Sequence, residues 1–161
     1  MAEKQRYRPN VTVACVIEAQ GKFLLVEEWI NGEQKFNQPA GHLEANESLL
    51  MACEREVLEE TGLSLTPQAL VRIDQFSASA ELAFLRFTFC CSLPNTQAPC
   101  PQDSDITAAH WLTYEEISAR SAQLRSPLVI DTIDAYLRGE KLSLDCLNSA
   151  FLTLAPAADA C

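Results

Sequence analysis

With 161 residues, the chain has room for about one domain at roughly 150 residues each, which excludes two independent catalytic domains. Hydrophobic residues make up 48% and charged residues 21%, the balance of an ordinary globule that builds a core without staples. Twelve Lys and Arg against 22 Asp and Glu leave a net charge of −10, a field that repels nucleic acid polymers and anionic membranes. A small anionic substrate remains open, provided a divalent cation or a local arginine reverses the sign where it binds.

In chain order, Val11, Val13, Cys15 and Ile17 alternate with Thr12, Ala14 and Val16. The run Phe23 to Glu28 resumes after Ala19-Gln20-Gly21-Lys22, so the spacing predicts a β-hairpin. Gly32, Pro39 and Gly41 break residues 29–46 and leave a short strand near Lys35 to Gln38 before a loop. Asn46 to Thr61 predicts a helix, with Asn46 as cap, Glu47 at the positive end and Gly62 as left-handed stop. Leu70 to Phe76 and Leu82 to Cys91 predict a second hairpin, and Ile106 to Leu112 a further strand. Thr113 to Glu116 has capping-box spacing and opens a short helix; Ser126-Pro127 opens another that ends near Gly139. Strands mixed with two or three helices imply a layered α/β domain over residues 1–144, followed by a C-terminal tail at 145–161.

The seven cysteines (Cys15, Cys53, Cys90, Cys91, Cys100, Cys146 and Cys161) contain no C-x-x-C pair and no zinc-like spacing to either histidine. Cys15 and Cys53 fall on apolar faces and are expected in the core. The opening MAEKQRYRPN carries no apolar leader, and no run approaches a membrane span, so the expectation is a cytoplasmic protein with reduced thiols.

The chemistry concentrates in the first helix. At about 100° per residue, Glu56, Glu59 and Glu60 share an arc of about 100° with apolar residues on both sides. Two carboxylates about 4 Å apart repel by about 4 kcal/mol at an effective dielectric near 20, so something positive must compensate. No lysine or arginine stands four residues after these acids. A solvated acidic face is the ordinary reading of such a helix; a hard cation such as Mg²⁺, which prefers oxygen ligands and is often shared with phosphates, is the sharper one. The preceding loop, with Gly41 for close backbone approach and unpaired N–H groups entering the helix, suits phosphate oxygens.

Residues 41–63 read GHLEANESLLMACEREVLEETGL and match the Nudix box, G-x5-E-x7-R-E-U-x-E-E-x-G-U, at every defined position. The chain therefore resembles the Nudix hydrolases. The likeness extends through VTVACVIEAQGKFLLVEE, NQPAGHLEANE, FLRFTF, DSDI and LRSPLV, over about residues 7–138, to a bacterial type of Nudix phosphatase. That resemblance implies an α/β/α sandwich with a mixed β-sheet and hydrolysis of phosphoric anhydrides with Mg²⁺ or Mn²⁺. It also implies release of orthophosphate from nucleoside di- and triphosphates and from thiamin-type pyrophosphates. By position, it makes Glu56, Glu59 and Glu60, with the Gly41 carbonyl, the metal ligands, and Arg55 with Glu47 the pair that orients loop and helix. Glu59, Glu60 and Glu44 are the alternatives for taking a proton from the attacking water.

Outside the box, Arg86, Arg125 and His42 are candidate substrate contacts. Arg86 points away from the face carrying Leu85, Phe87 and Phe89, and Arg125 precedes a helix start. Asp103 and Asp105 either assist a second metal or begin a strand, while His110 and Trp111 are read as packing residues. The expected partner is a small phosphorylated molecule, with the protein a monomer or small homo-oligomer. An ADP-ribose or ADP-sugar pyrophosphatase is the alternative enzyme. A non-catalytic nucleotide sensor is the alternative of another class, against which stand the intact box glutamates.

Overall fold

The first strands pair less with each other than their alternation suggests. In a computed structural model describing residues 6–153, β1 (Asn10–Ala19) and β2 (Lys22–Ile30) pair only at the tip, Glu18 with Phe23 and Ala19 with Lys22. β1 instead runs parallel to β6 (Ala83–Leu93) over its full length, from Asn10 beside Phe84 to Ala19 beside Leu93. The predicted hairpin is thus present, but it pairs only beside its turn, beyond which the two strands diverge. The reason is burial: Val13 to Ile17 are all at most 1% exposed, so both faces of β1 are covered, and a central strand takes partners on both edges. β2 turns away to β3 (Glu33–Asn37) through Asn31-Gly32, whose positive φ values of 52° and 81° suit a two-residue hairpin turn.

The wedge opened between β1 and β2 is filled on the β1 side by β4 (Ala40–His42), paired with Thr12 to Ala14. The segment expected as loop is thereby a short strand, and it fixes Gly41 and His42 against the sheet. β5 (Ala69–Ser77) pairs antiparallel with β6, and β7 (Ile106–Thr113) with β2. Among the described residues this makes one mixed seven-stranded sheet.

Helices cover both faces. α1 (Leu49–Thr61) buries Ala52, Cys53 and Val57 against Val13, Cys15, Ile17, Leu24 and Phe89. α2 (Tyr114–Ala119) and α3 (Leu128–Leu137) place Ile117, Val129 and Ile133 against Val16, Phe23, Leu25 and Cys90 on the opposite face. The α/β/α sandwich with a mixed sheet is the observed fold. Each fully buried aliphatic side chain contributes on the order of 1.5–3 kcal/mol, so Val57→Asp in α1 would unseat that layer. Leu144 and Leu147 pack on the α1-side cluster; of the expected tail, residues 154–161 lie outside the described residues, as does Cys161. No described helix is long and apolar enough to cross a membrane, and the six described cysteines are unpaired.

Candidate active site

The start of α1 is set by Ser48, not Asn46: the Ser48 side chain accepts from the Met51 N–H, while Asn46 sits at φ 65° in the loop. A residue in that left-handed conformation is outside the extended geometry of a cap, so the serine two residues later takes the role. At the other end Gly62 (φ 73°) stops the helix as expected. The loop after β6 then seals it. Cys100 N–H donates to Thr61 O, and the Gln102 and Asp103 N–H groups donate to Glu59 O, satisfying carbonyls that a helix end leaves orphaned. Asp103 thereby comes close enough to act on Glu60 electrostatically.

The counter-charge of the acidic arc comes from Arg55, four residues before Glu59 rather than after it. Its Nη1 donates to Glu56 Oε1 at 2.6 Å and to Glu59 Oε2 at 3.4 Å, and stands 3.8 Å from Glu44. Its Nε and Nη2 grip both oxygens of Glu47 at 3.0 and 2.8 Å, and Nη2 also donates to His42 O. One guanidinium thus ties the loop, β4 and α1 together. This fork holds the Glu47 carboxyl below its ordinary range. Burial has the opposite effect on Glu56 and outweighs Arg55, pushing its carboxyl up.

Glu60 is buried as well, with a pKa pushed up to about 8 by desolvation and by the negative charges of Glu56, Glu28 and Asp103. Its Oε2 accepts the Ala40 N–H at 2.9 Å. Gly41 lies directly against Glu56, where a β-carbon would fall inside the carboxylate. Among the described residues no three His, Cys, Asp or Glu side chains are already gathered about one point. Arg55 draws Glu56 and Glu59 toward itself, and Glu60 turns to the β4 backbone. The oxygen-only donor set, the side-chain-free approach at Gly41 and the surplus of buried negative charge suit a hard divalent cation.

Beside the helix opens a cleft of about 540 Å³, lined by Gly41, Glu60 and Glu28 among others. All three substrate candidates line it: His42, Arg86 and Arg125. Arg125 precedes α3, its backbone N–H donating to Phe36 O and its Nε 3.3 Å from Glu28. Arg86 faces the opposite way from Phe89, as its strand position requires, but that side is covered too: Arg86 is only 7% exposed. Burial pulls its pKa down to about 10, so it stays cationic at neutral pH. Its Nη2 donates to two neutral groups, Gln38 Oε1 at 2.9 Å and Asn37 Oδ1 at 3.4 Å, and its Nε finds no acceptor.

Sequence reasoning overlooked several lining residues. Phe84 stands two positions from Arg86 and so shares its side of β6, a period-2 signal that was available. Phe76 and Leu82 complete an apolar wall with it, and the His42 and Phe84 rings lie 6.5 Å apart. Glu28 gave no signal, since only the assembled fold brings it to the cleft. Gln38 gave none either, and it does not line the cleft but lies buried and bonded to Arg86, which does. Glu28 sits at an irregularity in the β2–β7 register, a feature that re-aims side chains. Glu44 is exposed and lies outside the residues that line the cleft. His110 engages Glu27 at 2.7 Å and Trp111 donates to Gln97 O, so both have protein partners.

The comparisons with known proteins agree with this geometry. The pattern described as "NUDIX domain" matches residues 6–132. Phosphatase NudJ of Escherichia coli K12 is 48% identical over 142 residues, 88% of this chain and 92% of that protein. A NUDIX hydrolase structure from Nitrosomonas europaea superimposes with a TM-score of 0.81 at 46% identity, over 88% of this chain and 97% of that one. The NUDIX domain of Shewanella oneidensis NrtR, solved with ADP ribose, shares the fold alone at 15% identity, with a TM-score of 0.70 over 83% of this chain and 90% of that one. With the box intact, the relatives at nearly half identity and the cleft in place, the chain belongs to the Nudix family and is a hydrolase of phosphoric anhydride bonds.

Proposed function

We propose that this chain is a divalent-metal-dependent phosphatase that releases orthophosphate from nucleoside di- and triphosphates and from thiamin-type pyrophosphates. The observation that carries the reading is the cleft, lined by Arg86, a buried cation without an ion pair, together with Gly41 and Glu60. The hydrogen bonds of Arg86 go only to neutral groups, while Asp74 and Glu60 act on it through space without forming an ion pair. A buried charge compensated in this way gains from an anion that bonds it directly, and a terminal phosphate is such an anion. The apolar wall of Phe76, Leu82 and Phe84 then faces the group attached to the phosphates, and its lack of hydrogen-bonding side chains suits more than one ring.

Glu56, Glu59 and Glu60, with the Gly41 carbonyl, would hold Mg²⁺ or Mn²⁺. When bound, the ion screens the phosphate charge and lowers the barrier to attack on phosphorus. Arg86 and Arg125 anchor phosphate oxygens, with Arg125 exchanging Glu28 for substrate. His42 bounds the cleft beside Phe84. Arg55 and Glu47 keep loop and helix in register without touching phosphate. Water forms a bond to the terminal phosphorus as the bridging P–O bond breaks, and its proton passes to a carboxylate among Glu59, Glu60 and Glu44. Glu60 is the one that lines the cleft, and its Oε1 carries no hydrogen bond from the described residues. The acidic surface and unpaired cysteines support a reduced, cytoplasmic setting with small phosphorylated partners rather than nucleic acid.

A substrate panel with Mg²⁺ and product identification tests the reading. Orthophosphate from thiamin pyrophosphate, ADP or ATP, abolished by EDTA with the circular dichroism unchanged, is the expected result. AMP and ribose phosphate from ADP-ribose, with the first set untouched, would transfer the chain to the ADP-sugar pyrophosphatases.

A further inference from the structure

We infer that Gln38, a residue outside the Nudix box, is the positioning residue that aims Arg86 at the phosphate of the substrate. This deepens the proposed function and rests on its reading of Arg86 as a phosphate contact. Gln38 is 1% exposed and spends its amide on two partners. Nε2 donates to Val129 O in the first turn of α3 at 2.8 Å, and Oε1 accepts from Arg86 Nη2 at 2.9 Å. The amide has only one workable orientation: a carbonyl only accepts and a guanidinium only donates, so the nitrogen must face Val129 and the oxygen Arg86. The adjoining backbone is clamped as well, because Pro39 O accepts the Cys15 N–H from β1.

The consequence for Arg86 is geometric. A guanidinium has five N–H donors in one plane. Gln38 and Asn37 take those of Nη2, and Nε has no protein acceptor. Among the described residues no carboxylate forms an ion pair with Arg86, whereas Arg55, Arg72, Arg125 and Arg138 each have one. A neutral anchor fixes the direction of the side chain without adding to the through-space pull of Glu60 and of Asp74, its neighbour across the β5–β6 pair; a glutamate in the same place would compete with phosphate. The anchor also reaches α3, whose first residue, Leu128, lines the same cleft along with the preceding Ser126 and Pro127. One amide therefore ties Arg86 to the start of α3.

A double-mutant cycle tests this. Gln38→Met keeps length and apolar volume but loses both hydrogen bonds, and Arg86→Met removes the cation. The readout is the calorimetric Kd of imidodiphosphate, a non-hydrolysable pyrophosphate, in excess Mg²⁺, with thermal melts to verify folding. Arg86→Met is expected to weaken binding roughly 10- to 100-fold, the scale of a hydrogen bond to a charged group. Gln38→Met is expected to weaken it about fivefold, and the double variant to match Arg86→Met within about twofold, because Gln38 acts only through Arg86. With ADP as substrate, the loss in Gln38→Met falls on KM rather than kcat. A Gln38→Met effect that multiplies that of Arg86→Met, or no effect alone while Arg86→Met binds poorly, overturns the inference and leaves the Arg86 reading standing. Unchanged binding by Arg86→Met overturns both. If Gln38→Met does not fold, Gln38→Asn, whose reach is one methylene shorter, is carried through the same cycle under the same criteria.

Discussion

Replacing Arg55 by Met is the most informative perturbation of the site, because a single side chain carries the whole electrostatic frame. Arg55 makes a two-bond fork with Glu47 and further contacts to Glu56, Glu59 and His42 O. Its side chain is 23% exposed, and those of Glu47 and Glu56 are 11% exposed each. Removing one partner of a fully buried pair costs about 3–5 kcal/mol, whereas a surface pair contributes about 0–1 kcal/mol. The partial exposure here places the loss at about 2–3 kcal/mol, with Glu47, Glu56 and Glu59 left to repel one another. At roughly 2–4 °C per kcal/mol for a chain of this size, Tm falls by roughly 4–12 °C. Differential scanning calorimetry at neutral pH and low salt reads this directly. Arg55→Lys should recover less than half of the loss, since a single ammonium cannot hold both Glu47 oxygens while reaching Glu56. A Tm drop below about 2 °C for Arg55→Met, or full recovery by lysine, would refute the reasoning that this fork holds loop and helix together.

Glu56→Gln keeps the shape and an acceptor for Arg55 but removes a charge from the proposed metal corner. kcat is expected to fall at least about 100-fold with the melting curve little changed, and near-normal turnover would remove the ligand assignment. Gly41→Ala forces a methyl into the Glu56 carboxylate. Because that group is the flexible end of a side chain, stability should change by less than about 1.5 kcal/mol while activity collapses; an active Gly41→Ala enzyme would show that this close approach is dispensable. Glu27, hydrogen-bonded by Gln34 and His110, has its carboxyl held below the ordinary 4.5. A depressed carboxylate stabilises the fold above its unfolded pKa and loses that contribution as pH falls through the folded value. Glu27→Gln should therefore lower Tm at pH 6 and converge on the parent below about pH 4; a gap that stays constant across that range would contradict the ionic origin.

Local chemistry was legible in the chain itself. The spacing of Glu56, Glu59 and Glu60 sets their shared face by helical geometry, and the Thr113–Glu116 capping box and the Gly62 stop appear where the pattern put them. Each depends on residues within one or two turns, so no distant contact can move it. The cap at Ser48 rather than Asn46 was settled by loop conformation, which the residue types alone left ambiguous.

What only the tertiary structure decided is everything that depends on who sits across the sheet. β1 took β6 as its long partner because both its faces are covered, a fact its alternating pattern conceals. Arg86 became a buried cation because α3 and Gln38 close over its side of β6, although the sequence shows only an arginine between leucine and phenylalanine. Arg55 became the counter-charge of the acids because its long side chain folds back over the helix and simultaneously reaches Glu47 in the loop. Periodicity and caps are short-range, whereas strand partners and burial are set by chain segments tens of residues apart, and the sharing of one guanidinium among four carboxylates needs the loop before α1 folded back beside it; these exist only once the core has formed.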